Sequence, residues 1–503
     1  MSTLIGIDLG SSSVKCAAFD HSGQIKAHAE HSYLFSSPRE GWLEIDPETW
    51  WDVTHAALKE TISQLAGEPV DAIAVSGVML MAVALDASGR AVRPTLSWLD
   101  RRVLPQFESI QKSGIAEELF AATGTAVAPS QTPYPLLWMM QEEPDRFKRI
   151  AKVVLPKDYL RYRLTGTMLT DVTDASGTLL LDSRTGQWNQ GALERLGIPS
   201  SILPDVVASS AIAGRLLPEV AATLNLPAGV PVIAGSGDGV STMLGLGIVR
   251  PGQLGITVGT AGVLMSASDR FLVDERGRCL VFRHPIPGQY FLVTATNTSG
   301  EAIRWFSNML QSSLPETERY ARLNAAAAAS PPGSRGVVFL PYLAGSRSPH
   351  YNPSAKACFL GLDLMHEFSD LARAAMEGVC FEIRDCLDVH REVLGSEHFT
   401  IDEVLVSGGI VRSPLWLQIL ADATGTTLSV PVATELGALG AAINAAVGIG
   451  IYPDYLTATA TMVRIANRIV PNEGSRHAYD HAYYLYRESY RALMPVFPGF
   501  SAG

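Results

Sequence analysis

Short apolar runs and longer amphipathic stretches alternate along almost the whole chain. Runs at 4–7, 71–78, 232–234 and 403–406 have too few polar interruptions for a half-exposed strand and predict buried ones. Between them, 47–65 carries apolar residues at helical spacing, with Asp46 placed to cap it and Pro47 at its first position. A second helix is predicted over 414–424. Strand and helix in alternation is the rhythm of an α/β protein. The least polar long stretch, 436–452, consists largely of Gly and Ala, includes Asn444 and is too short and weakly apolar for a membrane span; it reads as a closely packed buried helix.

The pattern also repeats. Residues 5–14, Ile-Gly-Ile-Asp-Leu-Gly-Ser-Ser-Ser-Val, overlay residues 254–263, Leu-Gly-Ile-Thr-Val-Gly-Thr-Ala-Gly-Val, with apolar, glycine and hydroxyl positions in register. Each copy reads as strand, tight glycine turn, strand, and the offset is close to half the chain. Two strand-turn-strand segments can resemble each other by chance; the alternative is a duplicated fold whose glycine turns face one another across a cleft. Length favours the second, because a single core stops growing near 250–300 residues and this chain has 503. The expected boundary lies in 244–252, giving lobes 1–247 and 248–503.

Charge and cysteine usage narrow the function. With 39 Lys+Arg against 50 Asp+Glu and no basic run, nucleic acid is not an expected partner. Five scattered cysteines, never spaced as CxxC, suggest neither a disulfide framework nor a zinc site, and no basic leader precedes Leu4; a cytoplasmic protein without membrane contact is expected.

The first glycine turn combines what a nucleotide phosphate and its metal require. Gly10 allows close backbone approach, Ser11 and Ser12 can donate to phosphate oxygens, Asp8 can hold a hydrated Mg²⁺ and Lys15 can neutralise a terminal phosphate. The same residues would also make an ordinary polar hairpin. In the second turn Gly259 and Thr260 remain, but Thr257 and Leu264 replace the two charged residues. Residues 235–239, Gly-Ser-Gly-Asp-Gly, place Asp238 after a buried strand as a candidate general base, or as a cap for the following helix. Gly408, Gly409 and Ser413 offer a flat surface suited to an adenine ring. No P-loop, dinucleotide fingerprint or nucleophile elbow is present.

In this order the motifs resemble the FGGY family of carbohydrate kinases. The similarity runs through 8–12, 41–51, 98–102, 155–160, 170–178, the Asp238 loop, Gly259-Thr260, 339–349, Glu377-Gly378 and 408–422, and the stretch 155–166 looks most like xylulokinases. The resemblance implies two ribonuclease H-like domains of the actin-type ATPase fold around a central cleft. It implies ATP-dependent phosphorylation of a sugar hydroxyl, with Asp238 as base and Asp8 holding Mg²⁺. Gly10, Ser11, Ser12, Lys15, Gly259 and Thr260 would surround the phosphates, and Gly408, Gly409 and Ser413 the adenine. Met79, Leu80, Trp98, Asp238 and Gly239 would border the sugar, and a homodimer is compatible with this reading.

Two positions depart from the xylulokinase pattern. A sugar-binding histidine is usual where this chain has 78–81, Val-Met-Leu-Met, and an asparagine where it has Gly239. A pentulose such as D-xylulose is the first expectation for the substrate, less well served here than in a typical xylulokinase. Another polyol or a sugar acid such as gluconate, with Arg101 or Arg102 as its partner, is the second. An actin-like or sugar-sensing ATPase without sugar kinase turnover is the third.

Overall fold

The computed structural model describes residues 3–311, 314–395 and 403–501. Its two large sheets are built around the two glycine hairpins. In the first, β1 (Thr3–Leu9) and β2 (Ser13–Phe19) form an antiparallel hairpin extended by β3 (Ile25–Ser32). On the other side of β1 lie β4 (Val70–Gly77), parallel to it, then β6 (Pro231–Gly237) and β5 (Ile212–Arg215), giving the order β5-β6-β4-β1-β2-β3.

The second sheet repeats the plan. The hairpin β7 (Leu254–Val258) and β8 (Gly262–Ser268) is extended by β10 (Tyr290–Ala295) and β9 (Leu280–Arg283). Beyond β7 come β11 (Glu403–Gly408) and β12 (Thr427–Pro431), both parallel, and an antiparallel edge strand β13 (Ile465–Ile469). The internal repeat is therefore topological as well as sequential: each hairpin's first strand is followed in the sheet by a parallel strand. The fold is the mixed α/β, actin-type architecture implied by the motifs.

The helices follow local sequence signals. α1 (Pro47–Gln64) starts where Asp46 accepts a hydrogen bond from the Glu48 N–H at 3.0 Å. α2 (Pro156–Thr165) and the short α3 (Val172–Ser176) lie under the first sheet, α3 capped by Asp171. α4 (Asp238–Leu246) leaves the end of β6, and α5 (Pro414–Thr424), capped by Ser413, follows β11.

The glycine- and alanine-rich α6 (Leu436–Gly448) is buried as its composition predicts and packs against the first sheet and α4. A Cβ on Gly6 would lie 1.8 Å from the Ala438 carbonyl oxygen, one on Gly440 1.8 Å from that of Ser241, and one on Gly245 2.1 Å from that of Leu436. β1, α4 and α6 thus approach backbone to backbone, which only glycine permits. The apolar core between the lobes includes Ile233, Met243, Met265, Leu439 and Ile443. Among the described residues no helix is long and apolar enough to cross a membrane.

Two local expectations change. β6 continues through the glycines to Gly237 rather than ending near Ala234, because Ser236 and Gly237 still pair with β4. Asp238 does not cap α4: Gly237 occupies that position without a side-chain bond, and Asp238 is the first helical residue. Pro331 and Pro332 are exposed, and the turn they open is anchored to the core. Gly333 N–H and Ser334 Oγ donate to the two oxygens of buried Glu377 at 3.0 and 2.8 Å.

Candidate active site at the strand ends

Register gathers the candidate residues. Asp8 pairs with Ser76 and Leu9 with Gly77, while Ser236 pairs with Ser76 and Gly237 with Gly77. Three adjacent strands therefore end side by side. The turn after Leu9, the segment 78–81 and Asp238 emerge together at one edge of the first sheet. In the second sheet Val258 pairs with Gly408, so Gly259-Thr260 and Gly409 emerge together as well. This is where ligands bind in open α/β sheets, at the carboxyl ends of parallel strands.

Asp8 accepts from Ser76 Oγ at 3.0 Å, and Lys15 lies opposite it on β2. A Cβ on Gly437 would fall 2.2 Å from Asp8 Oδ2, so the first turn of α6 rests directly on this carboxylate. Lys15 Nζ is 3.1 Å from the carboxylate of Glu435, the residue just before α6. Both contacts tie the first hairpin to the second half of the chain. Tyr33 OH donates to the Gly10 carbonyl and braces the turn from β3's end, while Ser11 and Ser12 are exposed.

Burial raises the Asp8 carboxyl to about 6; Glu435 adds to the rise, and Ser76 and Lys15 oppose it. Burial likewise raises Asp238 to about 7, with the Asp8 charge as the second cause. For Lys15, burial disfavours the charge, but Glu435 outweighs it and holds the ammonium above its ordinary value. Two buried carboxyls, one of them raised further by the charge of the other, form a setting that a nearby cation would relieve.

The remaining candidates divide. Met79 is buried beneath the turn that precedes Asp238: a Cβ on Gly237 would meet its Sδ at 2.5 Å. Leu80, with φ of 76°, is left-handed, and its side chain leans on Gly177. Gly239 faces the Met265 methyl at 3.4 Å from its own Cβ direction. Trp98 packs partly against the first lobe's core. Gly409 is exposed beside the second hairpin, and Gly408 adopts φ of 88° with no room for a Cβ against the Val258 carbonyl. Ser413 is committed to structure, accepting from Trp416 N–H at 3.1 Å and donating to Asn324 at 2.5 Å.

Arg102, an expected partner for an acid substrate, is occupied. It is buried in ion pairs with Asp100 and Glu44 at 2.8 and 2.9 Å, and its guanidinium lies 3.6 Å from the Trp42 ring centroid. Arg101 is exposed. Sequence reasoning missed Glu435, Tyr33 and Ser76, whose roles depend on contacts across 23 residues or more; an acidic residue just ahead of the Gly/Ala helix was the one visible sign of Glu435.

A duplicated, hairpin-centred fold with paired acidic residues at its strand ends defines a phosphoryl-transfer protein of the actin-type ATPase class. The chain belongs to the FGGY family of carbohydrate kinases: the family's N-terminal domain matches residues 3–245 and its C-terminal domain 254–449. It is 33% identical to the xylulose kinase of Escherichia coli (strain K12) over 493 residues, covering 98% of this chain and 99% of that protein. The xylulose kinase structure from Rhodospirillum rubrum superposes with a TM-score of 0.89 at 30% identity, covering 98% of this chain and 99% of that one. A gluconate kinase structure from Lactobacillus acidophilus has a TM-score of 0.92 at 24% identity, covering 99% of each chain, and shares the fold. The protein is an ATP-dependent carbohydrate kinase, similar along nearly its whole length to proteins named xylulose kinases.

Proposed function

We propose that this kinase phosphorylates a pentulose such as D-xylulose, with Asp238 as general base. The observation that carries the reading is the row of paired residues that ends β1, β4 and β6 together and sets Asp238 beside Asp8. A base near 7 can accept a hydroxyl proton at neutral pH and stay ionised often enough to do so. The hydroxyl oxygen then attacks the terminal phosphate of ATP, and ADP leaves.

The residues fit Mg²⁺. Among the described residues no group of three or more His, Cys, Asp or Glu is gathered for a metal, but Mg²⁺ is commonly held by one or two carboxylates together with substrate phosphates. Asp8, with Asp238 beside it, is such a donor, and the bound ion would neutralise phosphate charge. Gly10, Ser11, Ser12, Gly259 and Thr260 supply backbone and hydroxyl donors, and Lys15 the positive charge once it leaves Glu435. Gly408 and Gly409 form the flat wall for adenine, with Ser413 holding the helix behind it. The lobes divide at 247/248 in this reading, where α4 has just ended.

A pentulose is favoured over a sugar acid because Arg102 is already neutralised by two carboxylates. A phosphorylation screen across ketoses, polyols and aldonates tests this. D-xylulose is expected among the accepted substrates, with aldonates turned over more slowly; an aldonate as best substrate would reverse the reading.

A further inference from the structure

β6 reaches Asp238 through an irregularity. It pairs with β4 as Ile233 to Ala74 and then as Ser236 to Ser76, so Ala234 and Gly235 both face Val75. This is a bulge, and Gly235 holds it with φ of 76°, its Cβ position only 1.7 Å from the Val75 carbonyl oxygen. Bulges re-aim the side chains that follow them, and here the following charged residue is Asp238.

Beneath the bulge lies a fully buried ion cluster from α2 and α3. Lys157 Nζ is 2.5 Å from Asp158, 2.9 Å from Asp171 and 3.5 Å from Asp174; Arg161 is 2.7 Å from Asp158. All five side chains have zero exposure. Burial raises the Asp174 carboxyl well above the usual range, opposed by Lys157 and reinforced by Asp158, Asp171 and Asp238.

The cluster reaches both ends of the bulge. Arg161 Nη1 donates to the Ala234 carbonyl at 3.3 Å. Asp171 Oδ2 accepts from Thr173 Oγ1 at 2.6 Å and from Ser209 Oγ at 2.7 Å, and Thr173 Oγ1 accepts from Gly237 N–H at 3.3 Å. Ser209 also holds the middle, its carbonyl accepting from Gly235 N–H at 2.9 Å. Buried ion pairs contribute little net stability compared with apolar packing, because desolvation offsets their attraction. An apolar core could fill this space, but it could not bond Ala234 and Gly237.

We infer that the Lys157–Asp171 cluster is a positioning device for the base: Thr173 and Arg161 fix the two ends of the β6 bulge and so set the aim of Asp238 toward the acceptor hydroxyl. The inference rests on Asp238 being the base. Thr173 and Arg161 are positioning residues that need not touch substrate.

Thr173→Val keeps the shape and removes the hydroxyl that holds Gly237. Its kcat should fall at least about tenfold, since small displacements of a catalytic group cost up to about 100-fold, while KM for ATP stays within about twofold. Thr173→Ser should recover most of the loss. Placed on Asp238→Asn, Thr173→Val should cost nothing more. Native kcat in Thr173→Val, or a Ser variant no better than Val, would overturn the inference. If the Val variant does not fold, Arg161→Lys, which keeps a charge for Asp158 but removes the planar guanidinium whose Nη1 reaches both Asp158 and Ala234, gives the same contrast: kcat about tenfold down with ATP KM retained supports positioning, and native kcat overturns it. Asp238→Asn alone separates the two claims. Native turnover there removes the base itself, whereas loss there with native Thr173→Val and Arg161→Lys removes only the positioning role.

Discussion

Lys15 and Glu435, 420 positions apart in the sequence, face each other at 3.1 Å across the two halves of the molecule. The ammonium expected to meet the terminal phosphate is thus held by a carboxylate that a polyanion must displace. Replacing Glu435 by Gln removes the competitor and a negative charge from the phosphate site. KM for ATP should fall several-fold in steady-state kinetics, and a rise would mean that Glu435 assists nucleotide binding instead. Lys15→Ala and Asp8→Asn should both lower kcat at saturating ATP and Mg²⁺, whereas Thr257→Ala, whose hydroxyl bonds Ser407 at 2.9 Å, should act mainly through packing.

The raised carboxyls predict a pH dependence of stability. Asp8 and Asp238 titrate near 6 and 7 when folded, above the usual 3.8. The folded state therefore binds more protons than the unfolded one between about pH 4 and 7, and these groups lose stability as pH rises through that window. In Mg²⁺-free, nucleotide-free protein, Asp238→Asn should raise Tm relative to wild type at pH 8 more than at pH 5. Equal differences at both pH values would show that Asp238 is not raised.

Leu80 holds a left-handed backbone, unfavourable for leucine but visited more readily by histidine. Leu80→His with Gly239→Asn, where the nearest atom is a mobile methionine methyl at 3.4 Å, should raise kcat/KM for D-xylulose without loss of folding. Each restored hydrogen bond is worth roughly 0.5 to 1.5 kcal/mol. An unchanged kcat/KM in a folded variant would place these side chains outside the sugar's reach.

Gly440→Ala tests the joint between the lobes. Its Cβ would lie 1.8 Å from the Ser241 carbonyl, so α4 and α6 must separate. Thermal unfolding should move down by several degrees, within the range of overpacking costs of about 1 to 3 kcal/mol. A Tm equal to wild type would show that the helices part freely.

What could be read from the sequence was local or repeated. The two hairpins, the cap at Asp46 and the buried Gly/Ala helix all carry their signal within a few residues. Asp8 and Asp238 stood out because each lies within a few residues of a short apolar run and has glycine within two positions on either side. The surroundings that tune them did not, since Glu435, Ser76, Tyr33 and Thr173 arrive from separate elements through register and helix packing. The β6 bulge was hidden for a related reason: only pairing with β4 distinguishes an irregular strand from the glycine loop its composition suggests. Arg102 looked free although Asp100 stands two residues away, because Glu44, Trp42 and the geometry of the pair come together only when the chain folds back.

The most direct measurement is the turnover of Asp238→Asn with D-xylulose or the best sugar from the screen, alongside its ATP affinity. Loss of the base at constant size should lower kcat at least about 100-fold. Nucleotide binding, which the proposal assigns to the hairpins and Gly408-Gly409, should barely change. Near-native turnover would contradict the account and leave Asp238 as the first residue of a helix with no part in the chemistry.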